Sequence, residues 1–296
     1  MCRSPLPIAL ALTFFLVCCF KAAPAEADPG ASPRKIVFIA GPKDHGSPGA
    51  HEYEKDLLLL KKYLDESAEI KGIVAKIYVG RVPEDMAELG DAATIVLHSS
   101  GDGRADETHA LFPQNNANAP EQTYCEADVR RLEAFDALMK KGVGIVVLHY
   151  SLIVAHPRSQ EYFTDWIGGY HRPGFSKVKI DRSEAVPATP GHPILRGVRP
   201  WTTDHEYYFN QYFLPKDPRF VPILTSMLPS DQPQKHVVAW AVEREGGGRG
   251  FALTGCHYHA NMLIDDYRQM LRNAILWTAK VPMPEATRRR AGFGGP

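Results

Sequence analysis

Cysteine is scarce in this chain. Of its five cysteines, Cys2, Cys18 and Cys19 fall in an apolar leader, and only Cys125 and Cys256 remain. Two thiols make no disulfide scaffold; at most they form one bridge, and sequence alone cannot show that the two are close. An excess of either charge is also lacking. Removing Arg3, Lys21 and Glu26 with the leader takes the 34 positive and 34 negative residues to 32 and 33, a net charge of −1. No basic run sits on an expected helix face, so nucleic acid is excluded as a partner. Neither CxxC nor HExxH spacing occurs, so no ready-made zinc motif is present. Only one apolar stretch is long, Ile8 to Phe20, and it is too short to span a bilayer comfortably. Arg3 precedes it and "AEA" (Ala25–Ala27) offers small residues at a cleavage site, which reads as a secretory signal peptide over 1–27. A lipid-modified start at Cys18 or Cys19 is disfavoured, because Val17 and Cys18 precede them where small residues are usual. The expectation is export to the periplasm or the exterior, with no membrane contact after cleavage.

What is present begins after a linker at 28–34. "KIVFIA" (Lys35–Ala40) and "ATIVLH" (Ala93–His98) read as buried strands, and "IVAKIYV" (Ile73–Val79) and "VGIVVLH" (Val143–His149) are strand-like runs, the last the most strongly so. Between them, His51–Ser67 and Glu126–Lys141 carry apolar residues at helical spacing. Strands alternating with helices predict a mostly parallel sheet covered on both faces. The second half changes character. Ser176–Ile180, Glu206–Phe213, Phe220–Met227, His236–Glu243 and Gly250–Gly255 read as additional strands, the last two joined by a hairpin, before a closing helix over Asp265–Ala279. The tail 285–296 is expected to be disordered. One α/β domain over 35–284 accounts for the pattern.

The histidines are placed unevenly. His98 ends one strand and His149 another; His45 follows the first strand, and His257 and His259 follow the last. In an open α/β sheet, ligands bind beyond the carboxyl ends of the strands. Imidazoles from four strand ends therefore point to one edge. His109, His156, His192 and His236 lie in polar loops or at a strand start and are read as structural.

Several motifs then acquire a common meaning. "GVGIVVLHYS" (Gly142–Ser151), "DWIGGYH" (Asp165–His171), "HPILRGVRP" (His192–Pro200), "DHEYYFN" (Asp204–Asn210), "GRGFALTGCHYHANM" (Gly248–Met262) and "LRNAILWTAKVPMP" (Leu271–Pro284) resemble the ThuA-like, trehalose-utilisation family. "GPKDHGSPGAHE" (Gly41–Glu52) resembles the opening motif of an exported subgroup. The resemblance implies a flavodoxin-like three-layer sandwich related to class I glutamine amidotransferases. It also implies a role in carbohydrate catabolism, and a divalent metal in some members. The chain departs from familiar patterns in three places. His149 ends the strand that would present the amidotransferase nucleophile, so amidotransfer is disfavoured. His205-Glu206 stands where Asp-Glu is frequent, and Cys256 and Met262 stand where Gly and Trp are common.

The expected ligand is a small carbohydrate, and three readings of the site remain open. In the first, a hydrolase, lyase or isomerase acts on a sugar or oxidised (keto) sugar through His149, Glu206 and His257, since imidazole titrates near working pH. His45, His98, Tyr150, His171, Tyr207, His259 and Asn261 would bind substrate. In the second, His45, His149 and His257 hold a divalent metal such as zinc, with Glu206 as base or fourth ligand. In the third, the chain is a non-catalytic sugar-binding module, using Trp166, Tyr170, Tyr208, Asn210 and Asn261. A thiol nucleophile at Cys256 is disfavoured, because adjacent residues of an extended chain face opposite ways. The composition sets no oligomeric state.

Overall fold

Strand β1 (Arg34–Ala40) shows why a parallel sheet forms here. Its side chains are apolar in both directions, and alternate ones join different cores. Ile36, Phe38 and Ala40 enter one cluster; Val37 and Ile39 enter the other. A strand buried on both faces needs helices on both sides. The computed structural model describes residues 32–102, 109–111 and 126–284. The expected leader, the expected tail and Cys125 lie outside them.

Among the described residues, α1 (Tyr53–Asp65), β2 (Ile73–Val79), β3 (Ala92–His98), α2 (Glu126–Lys140) and β4 (Gly144–Leu148) follow β1. Then come α3 (Pro157–Ile167), β5 (Gly169–Tyr170), β6 (Lys177–Pro187), β7 (Trp201–Phe209) and β8 (Tyr212–Phe213). The chain closes with β9 (Phe220–Leu228), β10 (Gln234–Glu243), β11 (Arg249–Leu253) and α4 (Asp265–Thr278). The main sheet has the order β2-β1-β3-β4-β11-β10-β9-β6-β7. Pairing is parallel from β2 through β11 and antiparallel from β11 through β7. The fold is thus α/β with a large central sheet, and the second-half strands extend its parallel core. Helices α1 and α4 pack with one apolar cluster and α2 and α3 with the other. No helix among the described residues is long and apolar enough to cross a membrane.

Three local features differ from expectation, each for a physical reason. Helix α3 was not expected, although Pro157 occupies its first turn, His156 Nδ1 accepts from Arg158 N, and Gly168 closes it at φ 80°. Proline at the start and glycine just past the end are ordinary helix limits. The strand expected over Glu206–Phe213 begins earlier, at Trp201, and stops at Phe209. Asn210 turns the chain at φ 54°, a left-handed conformation that asparagine tolerates, and Tyr212–Phe213 pairs with β5 instead. Strand β6 runs on from Ile180 to Pro187.

Candidate metal centre

Strands β1, β3, β4 and β11 are neighbours and parallel, so their carboxyl ends share one edge. At that edge β4 stops abruptly. His149 sits at φ 51°, which turns the chain within one residue and leaves its imidazole fully buried. Its Nδ1 lies 2.9 Å from the carbonyl oxygen of Thr254. A carbonyl only accepts, so Nδ1 carries the proton and Nε2 keeps its lone pair. That Nε2 is 3.2 Å from His257 Nδ1 and 3.5 Å from Glu206 Oε2. His257 Nδ1 is 3.3 Å from the same carboxylate oxygen.

His51 completes the group. One ligand atom from each of His51, His149, Glu206 and His257 lies within 4.8 Å of every other. His51 was absent from the expected set because it is brought here by tertiary contacts. The loop after β1 is tied to the turn after β11: His51 N donates to His257 O at 2.9 Å and His259 N to Gly49 O at 2.9 Å. The sequence signal for it was its place at the mouth of α1 within "GPKDHGSPGAHE".

A relay behind His51 sets its proton. Its Nδ1 is 2.8 Å from the Tyr53 hydroxyl, which is 3.1 Å from Ser100 Oγ. Ser100 Oγ donates to Asp44 Oδ1 at 2.6 Å. Because Ser100 has a single hydrogen and gives it to the carboxylate, Tyr53 donates to Ser100 and His51 Nδ1 donates to Tyr53. His51 Nε2 is therefore the lone-pair nitrogen. His45 Nδ1 meets the same Asp44 oxygen at 2.8 Å, with its ring 4.0 Å from that of His51. It stands behind His51 and outside the convergent four.

The electrostatics suit neutral ligands. Burial, with the neighbouring His45 and His257, holds the His51 pKa down to about 3. Burial, followed by the charges of His205 and His51, holds that of His149 well below its ordinary value. For Glu206, burial pushes upward, but the hydrogen bond and charge of His257 and the Tyr208 hydroxyl outweigh it, so the carboxyl is held below its usual range.

The other expected site residues divide. Tyr150 is half-buried with its ring 5.3 Å from His45, at the mouth of the group. His171 is buried, with its ring 5.0 Å from Tyr208. Tyr208 itself stacks on His149 at 4.6 Å and 22°, so it belongs to the wall of the site. Tyr207 does not: its hydroxyl donates to the carbonyls of Ser183 and Thr203. Neighbours on a strand face opposite ways, and Glu206 and Tyr208 take the site-facing side. Asn261 is spent on fastening, accepting from Thr203 Oγ1 at 2.7 Å and donating to Asp204 O at 3.1 Å. His98 Nε2 and His259 Nδ1 both bind the buried Asp56, at 3.0 and 2.5 Å. His259 therefore points towards α1, and the extended "CHYH" is broken by Cys256 at φ 87° and the short helical turn His259–Leu263.

Among the residues of the sugar-module reading, Trp166 and Tyr170 are buried, and Trp166 Nε1 donates to Asp136. Asn210 is exposed and donates to Phe175 O. Cys256 is buried, and burial pushes its thiol pKa far up, which removes it as a nucleophile. His109 bridges Ser151 O and Leu111 N, and His156 and His192 cap short helices.

An α/β sheet with a His/Glu cluster at its carboxyl edge is the architecture the chain presents. The chain belongs to the ThuA, trehalose utilisation, family, whose profile matches residues 106–278. Membership places it in carbohydrate use. A ThuA-like protein of Bacteroides uniformis shares the fold at TM-score 0.59 and 13% identity, over 87% of this chain and 95% of that one. One from Parabacteroides merdae does so at TM-score 0.56 and 14% identity, over 86% and 96%. A search of curated proteins finds no match.

Proposed function

We propose that this protein is a carbohydrate-directed enzyme whose centre is a divalent metal, zinc in the first instance, held by His51, His149, Glu206 and His257. One observation carries the reading. Tetrahedral ligands at zinc distances of about 2.0–2.1 Å stand roughly 3.3–3.4 Å apart. The three contacts among His149, His257 and Glu206 are 3.2, 3.5 and 3.3 Å. Two of the imidazoles are neutral and have their tautomers set by bonds behind them, the usual support of metal-binding histidine. His45 differs from the convergent four in facing Asp44, so His51 takes the place in the ligand set first given to it.

Zinc held by His51, His149, Glu206 and His257 would supply Lewis-acid polarisation of a substrate oxygen. The chain's own groups would do the rest. The Tyr208 ring walls one side of the centre and its hydroxyl orients Glu206, while Tyr150 at the mouth is placed to bond sugar hydroxyls. The reaction class is hydrolysis, elimination or isomerisation of a sugar or keto-sugar. Export through the leader at 1–27, with a mature chain starting at Asp28, belongs to the same proposal. Elemental analysis of the purified protein should find stoichiometric metal that a chelator removes and zinc restores, together with turnover of sugar or keto-sugar. Protein that is metal-free and binds no zinc at micromolar concentration would sink the reading.

The relay gives a second test. Tyr53→Phe keeps the ring in the core but cuts the link from Asp44 to His51. Zinc affinity should fall about tenfold, the low end for removing such support, with thermal stability nearly unchanged. Unaltered affinity by chelator competition would show that His51 does not need the relay.

A further inference from the structure

Glu206 and His257 come from segments with no shared ladder: one lies in β7, the other in the turn after β11. Their side-chain atoms nevertheless stand 3.3 Å apart. Between the two backbones lies His205, a buried side chain outside the ligand set. Its Nδ1 is 2.8 Å from the carbonyl oxygen of Glu206. Its Nε2 receives the backbone N–H of Cys256 at 3.0 Å and of His257 at 3.3 Å. The partners dictate the roles. A carbonyl only accepts and a backbone N–H only donates, so this imidazole is neutral, with its proton on Nδ1. Burial agrees, holding its pKa down to about 4. The turn it grips is an unfavourable one, since Cys256 adopts φ 87°, which L residues rarely take up. Two successive N–H groups aimed at one acceptor give that conformation a compensating bond.

We propose that His205 is the positioning residue of the centre: its single imidazole holds the strand of Glu206 and the turn of His257 at the separation a shared metal ion requires. The inference rests on the metal reading, but its geometry can be tested with and without metal.

The experiment compares wild type with His205→Gln and His205→Phe. Glutamine carries an acceptor oxygen close to where Nε2 stands; phenylalanine fills the space and accepts nothing. Zinc affinity is read by competition with a chromophoric chelator, and exchange of the Cys256 and His257 amides by NMR on metal-free protein. His205→Phe should bind zinc about 10–100-fold more weakly, the range for support behind a ligand. Its two amides should exchange faster, while those of β1 and β4 keep their protection. His205→Gln should stay within about threefold of wild type by the same scale. A phenylalanine variant with wild-type affinity and protected amides overturns the proposal, as does a glutamine variant that loses as much as phenylalanine. Wild type that binds no zinc removes the metal reading, and the amides then decide whether His205 holds the turn. If the phenylalanine variant does not fold, the nitrogen shifts of His205 in wild type decide. The proton on Nδ1 supports the proposal, and the proton on Nε2 overturns it.

Discussion

His149→Ala is expected to weaken zinc binding by on the order of 10²–10³-fold. A four-ligand zinc site supplies about 10–16 kcal/mol, so one ligand contributes very roughly 2.5–4 kcal/mol, which is the stated factor. His149 should lie at the upper end. Its Nε2 meets both His257 and Glu206, and its Nδ1 is tied to Thr254 O, so it is both central and fixed in orientation. The backbone conformation, φ 51°, is one that His and Asn tolerate better than most L residues, so alanine there adds a modest backbone cost. His149→Asn separates the two effects, since asparagine tolerates that conformation but lacks the imidazole. Both variants should lose zinc by chelator competition, and the asparagine variant should melt closer to wild type. Retention of zinc within a small factor in either one would mean that the metal is bound elsewhere.

Metal-free protein should lose stability steeply as pH falls from about 6.5 towards 4. Burial holds the pKa of His109, His171 and His205 each down to about 4 and is the main cause of the about 3 of His51. His149 is lowered as well. In the unfolded chain these groups titrate near 6.5. Between the folded and unfolded values the unfolded chain binds more protons, so stability rises with pH through that window and falls on acidification. Each histidine contributes at most about 1.4 kcal/mol per pH unit, and several act together. Above 6.5 they contribute no slope. Below about 4 the contributions of His109, His171 and His205 level off, while that of His51 continues to about 3. There Glu52, held to about 2 chiefly by its hydrogen bonds to Lys43 and Lys55, begins to act in the same direction. Urea unfolding in chelator at pH 7.5, 6 and 5 measures the slope. Equal midpoints at pH 7.5 and 5 would show that these imidazoles are hydrated and charged in the folded protein.

The same residues show how far sequence reading reaches. Strands β1, β3 and β4 were legible because a strand buried on both faces is apolar along most of its length, whatever it packs against. His149 and His257 could be placed at one edge because strand direction in an alternating β/α chain follows from connectivity. Helix α3 was equally legible, in Pro157, Gly168 and the buried stripe of Phe163, Trp166 and Ile167, but went unread. The choice of Tyr207 over Tyr208 neglected alternation: a strand that offers Glu206 to the site must turn Tyr207 away from it.

Local pattern alone therefore determined the α/β class, the carboxyl edge as the place of the His/Glu cluster, and two of the imidazoles there. Tertiary structure decided which groups meet. His51 reaches the cluster only because the loop after β1 is bonded to the turn after β11, and His205 meets the Cys256–His257 backbone only because β7 passes behind that turn. His98 and His259, which share the edge, are drawn aside by Asp56 of α1. Side-chain direction at a loop is set by which distant backbone and carboxylate groups it must satisfy. Those partners lie far along the chain, and no local periodicity encodes them.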